Sequence, residues 1–164
     1  MRSRSAHPNP GPAIPSRAQL LAIDASAQML SMARTHLHEH LADDAHRVTL
    51  LQADFHHLPL ADTAYHAAVA AFCLYHSPHP AHALALAEIA RCLAPGGPAV
   101  LVTKSADSYH ELDELVAETG LDPGATSRPS LYETAHSTHL PALTASVLTV
   151  HAVIHDRHAF LIRL

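Results

Sequence analysis

The chain has 164 residues, 48% of them apolar, which suits one globular domain. Ten basic residues and a net charge of -5 exclude the electrostatic footprint of a nucleic-acid binder. No apolar run approaches the ~20 residues that span a bilayer, and the two cysteines, Cys73 and Cys92, lack a metal-type spacing, so a reduced cytoplasmic setting is expected.

Residues 1–18 are basic, acid-free and interrupted by Pro8, Pro10, Pro12 and Pro15, which reads as a disordered tail ahead of a domain over 19–164. Leu20-Leu21-Ala22-Ile23-Asp24 is a short apolar strand closed by an acid. Ser26 suits the N-cap of a following helix, in which Met29, Leu30, Ala33, Leu37 and Leu41 recur at helical spacing. Val48 to Ala53 forms a second strand, and 56–62 reads as a loop. Ala67 to Cys73 is wholly apolar, as expected for a strand buried on both faces. Pro80 suits a helix start, and Leu84, Leu86, Ile89, Ala90 and Leu93 supply that helix's apolar side until Pro95-Gly96-Gly97 stops it. Ala99 to Thr103 reads as strand, Asp107 to Thr119 as a helix capped by Gly120, 121–142 as loop and Ser146 to Ile154 as a last strand. Strands alternating with helices predict an α/β fold, a three-layer, Rossmann-like, mostly parallel sheet.

Seventeen histidines against one lysine, Lys104, invite a metal reading. His36 and His40 at i,i+4 share a helix face, yet zinc takes four ligands and no cysteine lies nearby. Their scatter along the chain, mixed with surplus Ala and Pro, points to biased codon usage, and no metal site is expected.

In a parallel α/β sheet every strand presents its C-terminal end to the same crevice, so Asp24 and Asp54, which close the first two apolar runs, would lie side by side at a ligand site. Asp24, at a strand end before a tight turn, stands where a carboxylate accepts hydrogen bonds from vicinal ribose hydroxyls; it is equally suited to cap the following helix. With Phe72-Cys73-Leu74-Tyr75-His76 ending the third run and Glu88-Ile89-Ala90-Arg91-Cys92-Leu93-Ala94-Pro95-Gly96-Gly97 before the fourth, the chain resembles a class I S-adenosylmethionine-dependent methyltransferase, type 11-like, over roughly residues 20 to 125.

The resemblance implies S-adenosyl-L-methionine as cofactor and methyl transfer to an unidentified small molecule. It places the cofactor's ribose at Asp24, with Ala25 and Met29 flanking the adenosine. It places the adenine at Ala53-Asp54-Phe55, ahead of Leu58-Pro59-Leu60: Asp54 accepts the exocyclic amine and the Phe55 N–H meets a ring nitrogen. An aspartate here also commonly hydrogen-bonds its own turn. Phe72 would wall the cofactor cleft. His76 would face the methyl group as a base for an oxygen or nitrogen acceptor, or serve as a loop residue. Leu-x-Pro-Gly-Gly is the most family-specific stretch, and its role is architectural. Two positions depart from the pattern: Pro98 cannot donate to a ladder, and His66 follows Tyr65 where the family usually carries an aspartate.

The family's first strand and glycine-rich loop would precede Leu20, where this sequence is proline-rich, so an N-terminally truncated domain is expected. The alternative expectation is a genuinely short protein that repairs its sheet by pairing the Ile23 and Val69 strands, or by dimerising as a homo-oligomer through open edges. The alternative to an enzyme is a non-catalytic fold serving as a protein-binding module. A nicotinamide-dependent dehydrogenase is disfavoured by the lack of Tyr-x-x-x-Lys and of a glycine fingerprint, and a P-loop enzyme by the lack of Gly-x-x-x-x-Gly-Lys.

Overall fold

Two parallel strand pairs carry the fold in this computed structural model, which describes residues 18–77, 81–127 and 135–155. The tail expected over 1–18 falls almost wholly outside the described residues, as does Pro80. The chain divides into two compact units, Met1–Leu58 and Pro59–Leu164.

In the first unit, β1 (Leu20–Asp24) pairs in parallel with β2 (Val48–Gln52), Leu20 opposite Val48 and Asp24 opposite Gln52. Helix α1 (Ala27–His40) makes the crossover between them and packs on both strands, as a parallel connection requires. It starts where the sequence places it: Ser26 is extended, and its Oγ accepts from the Met29 N–H at 3.3 Å. Leu30 is the buried anchor of α1. Arg47, only 7% exposed, ties the entry of β1 to the turn before β2, donating Nε and Nη2 to the Ala18 carbonyl at 3.0 and 2.8 Å and Nη1 to Asp44 Oδ1 at 2.7 Å.

In the second unit, β3 (Ala68–Ala71) pairs in parallel with β4 (Ala99–Val102), joined through α2 (His82–Cys92). Leu74, Ala85, Leu86, Cys92, Leu93, Ala135 and Leu140 form its buried core. Arg91 of α2 grips the 58–62 loop, donating Nη1 to the Leu60 carbonyl and to Asp62 Oδ1, each at 2.7 Å, while Nε and Nη2 hold the two Glu88 carboxylate oxygens at 2.8 Å. After α2, Gly96 adopts a left-handed φ of 78° in the turn that the Pro-Gly-Gly signal predicts. Pro98 enters the sheet through its carbonyl, which accepts from the Ala68 N–H at 3.0 Å, and it sits just ahead of β4, at a strand entry where proline is tolerated. Helix α3 (His110–Glu118) ends at Gly120, left-handed at φ 73°.

The mixed α/β architecture with parallel strands is the one expected, each unit holding one two-stranded parallel sheet, β1 with β2 and β3 with β4. Two expectations fail. The β3 strand is not buried on both faces: Val69 is 72% exposed and its register partner Val100 is 54% exposed. Ala70, on the opposite face of the strand, is buried, so β3 packs on one face only. The last strand over Ser146–Ile154 is absent. Instead α4 (Leu140–Ala145) begins inside the stretch read as loop, with Pro141 in its first turn, and the N–H groups of Ser146 and Val147 extend its hydrogen bonds to Leu143 and Thr144. Residues 149–155 hold no ladder: alternation alone does not make a strand where the segment pairs with no sheet edge.

Candidate functional site

The first unit carries six of the residues that the sequence nominates: Asp24, Ala25, Met29, Ala53, Asp54 and Phe55. Asp24 closes β1, and Asp54 follows β2 by two residues; the Ala53 N–H donates to the Asp24 carbonyl at 3.2 Å, which extends the ladder to the base of the Asp54 turn. Gln52, not singled out in the sequence, reaches across with Nε2 to the Ala25 carbonyl at 3.0 Å and fixes the turn between β1 and α1.

Both aspartates use the same local geometry. Asp24 Oδ1 accepts the Ser26 N–H at 2.7 Å, an Asx turn, so the helix cap itself belongs to Ser26 and not to Asp24. Asp54 Oδ1 accepts the His56 N–H at 2.9 Å and lies 2.6 Å from His56 Nδ1. Since an ionised carboxylate only accepts, Nδ1 carries the proton. The expected turn-forming role of Asp54 is thus carried by one oxygen alone. Oδ1 closes the turn, while Oδ2 of each aspartate has no partner among the described residues.

Electrostatics keep this edge acceptor-rich. The His56 N–H, and after it the His56 ring, hold the Asp54 carboxyl below the usual carboxylate range. The Asp54 side chain is 61% exposed, whereas that of His56 is 16% exposed, its ring 4.3 Å from the Phe55 ring between centroids. The Phe55 N–H has no hydrogen-bond partner among the described residues. Ala25 and Met29 are exposed beside Asp24, and Ala53 is half-buried. Two carboxylate acceptors and one backbone donor match a diol, an exocyclic amine and a ring nitrogen, the polar groups of an adenosine.

Phe72 and His76 lie in the second unit. Phe72 follows β3 in a left-handed conformation, φ 53°, 48% exposed, with its N–H on the Val102 carbonyl at 2.9 Å. A bulky residue held there is backbone strain at a strand end. His76 ends the short 3-10 turn Leu74–His76, exposed, with its ring 4.5 Å from that of Tyr75. His36 and His40 face one another at 5.7 Å between ring centroids, and no group of three or more metal-ligating side chains occurs among the described residues. No helix among them is long and apolar enough to cross a membrane.

The sequence missed Gln52 and His56. Gln52 carries no local signal, because its partner is 27 positions away. His56 had one, the Asp-x-His spacing that lets a ring reach the carboxylate of its own Asx turn.

A family model described as a methyltransferase domain matches residues 12–97. Among solved structures, the chain is similar to the cyclase SpnF, at 31% identity over 49% of this chain and 28% of that one, with a TM-score of 0.44. It is also similar to a candidate S-adenosyl-L-methionine-dependent methyltransferase of Methanococcus maripaludis, at 21% identity over 62% of this chain and 46% of that one, with a TM-score of 0.47. A candidate methyltransferase of Bacillus halodurans C-125 aligns at 23% identity over 71% of this chain and 52% of that one, with a TM-score of 0.48. The chain thus spans between 28% and 52% of the lengths of these structures. No curated protein matches it.

Proposed function

The chain belongs to the methyltransferase domain family, and on that premise we propose that its first unit holds the adenosine half of S-adenosyl-L-methionine for methyl transfer to a small-molecule acceptor in the cytoplasm. The supporting observation is the matched pair of aspartates at the ends of β1 and β2, each with one oxygen committed to its turn and the other without a partner among the described residues.

Bound S-adenosyl-L-methionine supplies a methyl group on a sulfonium, an excellent leaving group, so the protein's part is chiefly placement. Asp24 accepts from the ribose hydroxyls, charge-assisted bonds contributing about 1.5–3 kcal/mol each. Asp54 Oδ2 accepts the adenine amine, and the Phe55 N–H donates to the adjacent ring nitrogen. Ala25 and Met29 offer apolar contact to the adenosine, and Ala53 carries the chain between the two acids. Phe72 is the proposed cleft wall, and His76 the proposed base where the acceptor is an oxygen or nitrogen.

A second reading, a non-catalytic module that binds protein, draws on the exposed Val69–Val100 pair and on His66. Saturation-transfer NMR with S-adenosylhomocysteine tests the first reading. Saturation strongest at the adenine and ribose protons is expected, and no transfer at any proton would overturn it.

A further inference from the structure

We propose that His56 is a positioning residue of the adenine site: by holding Oδ1 of Asp54 from a second direction, its ring fixes the carboxylate so that Oδ2 is set in advance for the adenine amine. This rests on the adenosine-site reading above and assigns a role to a residue outside the resembled pattern.

The carboxylate torsion of an aspartate is broad and roughly two-fold, so the single backbone bond of an Asx turn leaves it free to rock. Here a second donor, Nδ1 at 2.6 Å, converges on the oxygen that already accepts the backbone N–H at 2.9 Å. Two donors from different directions define the plane of the group. The ring can do this because it is itself held: its side chain is 16% exposed and lies against the Phe55 ring, whereas the aspartate it restrains is 61% exposed and would otherwise be mobile. The same His56 contact thus couples Asp54 to Phe55, the two residues proposed to read the adenine edge. Ordering the carboxylate before the ligand arrives removes a cost that binding would otherwise carry, and preorganisation of this kind raises affinity without a direct contact.

The test uses calorimetry with S-adenosylhomocysteine on the full chain and three variants. Asp54→Ala should abolish binding. His56→Ala should weaken it about two- to tenfold, the range expected from leaving one side chain to be ordered on binding. His56→Asn should restore most of the affinity, because the asparagine Nδ2 occupies the position of the histidine Nδ1 and can donate to the same oxygen. A structural role alone would not give that rescue. As a ligand-free readout, the Asp54 carboxyl resonance should titrate higher in His56→Ala than in wild type and return towards wild type in His56→Asn. Wild-type affinity in His56→Ala, or equal losses in His56→Ala and His56→Asn with both variants folded, would overturn this proposal while leaving the adenosine site standing. No binding by the wild-type chain would overturn both.

Discussion

Gln52 stands opposite Asp24 in the parallel register of β1 and β2, and its side-chain amide donates to the Ala25 carbonyl at 3.0 Å. One strand therefore holds the turn that aims the other strand's aspartate. Asp24 owes its position to this cross-strand bond and to the Ser26 N–H together, which is why a five-residue strand can hold its terminal carboxylate at a defined place.

The first unit depends on a buried cation. Arg47 is 7% exposed and holds the Ala18 carbonyl with two nitrogens. Arg47→Ala would leave that carbonyl and Asp44 without their donor, and should cost about 2–4 kcal/mol in denaturant unfolding. Asp44→Asn, which keeps an acceptor, should cost under about 1 kcal/mol. Similar losses in the two variants would contradict the assignment.

The two glycines of the Pro-Gly-Gly turn serve different needs. A Cβ on Gly97 would lie 2.9 Å from both the Ala94 and His66 carbonyl oxygens, whereas one on Gly96 would meet nothing within 4 Å but sit at φ 78°. Gly96→Ala should therefore cost about 1–2 kcal/mol of left-handed strain, and Gly97→Ala about 2–3 kcal/mol of overpacking against backbone that cannot move aside. Unfolding midpoints in the reverse order would refute this.

Val69 and Val100 face each other in register at 72% and 54% exposure. Such a patch, beside strand edges unpaired among the described residues, should drive self-association. Sedimentation velocity is expected to show concentration-dependent oligomers that Val69→Lys diminishes, with stability changed by no more than about 0.5 kcal/mol. A monomer at all concentrations would remove the oligomer from the account.

How much of this was legible in the sequence depends on how local the cause is. β1, α1 and the Ser26 cap lie where the pattern puts them, since an apolar run and a capping hydroxyl act over a few residues. The Pro-Gly-Gly turn and the Gly120 cap were equally readable, because left-handed backbone favours glycine. The 146–154 segment misled because strand pattern is only half of a strand, the other half being a partner edge. The two aspartates were visible at the strand ends, but the commitment of one oxygen of each to its own turn was not, because it depends on the His56 N–H and ring and on the Ser26 N–H.

Asp54 gives the chain a defined acid response. Its carboxyl is held below the usual 3.8 by the His56 backbone N–H first and the His56 ring second. A group whose folded value is depressed contributes stability above its unfolded value and loses it as the pH falls through the folded one. The turn at 54–57 should thus stay closed through the mildly acidic range and open only below the ordinary aspartate range. Carbon-13 titration of the Asp54 carboxyl should find a midpoint below 3.8. A midpoint at or above it would contradict the hydrogen-bonding scheme.

The central claim is that Asp24 and Asp54 together hold an adenosine. Isothermal titration of S-adenosylhomocysteine into wild type and Asp24→Ala measures it most directly, with circular dichroism to show that both are folded. Loss of the charge-assisted ribose bonds should weaken binding by about tenfold or more, each tenfold corresponding to about 1.4 kcal/mol. Equal affinity for wild type and Asp24→Ala would contradict the account and remove the adenosine site from these strand ends.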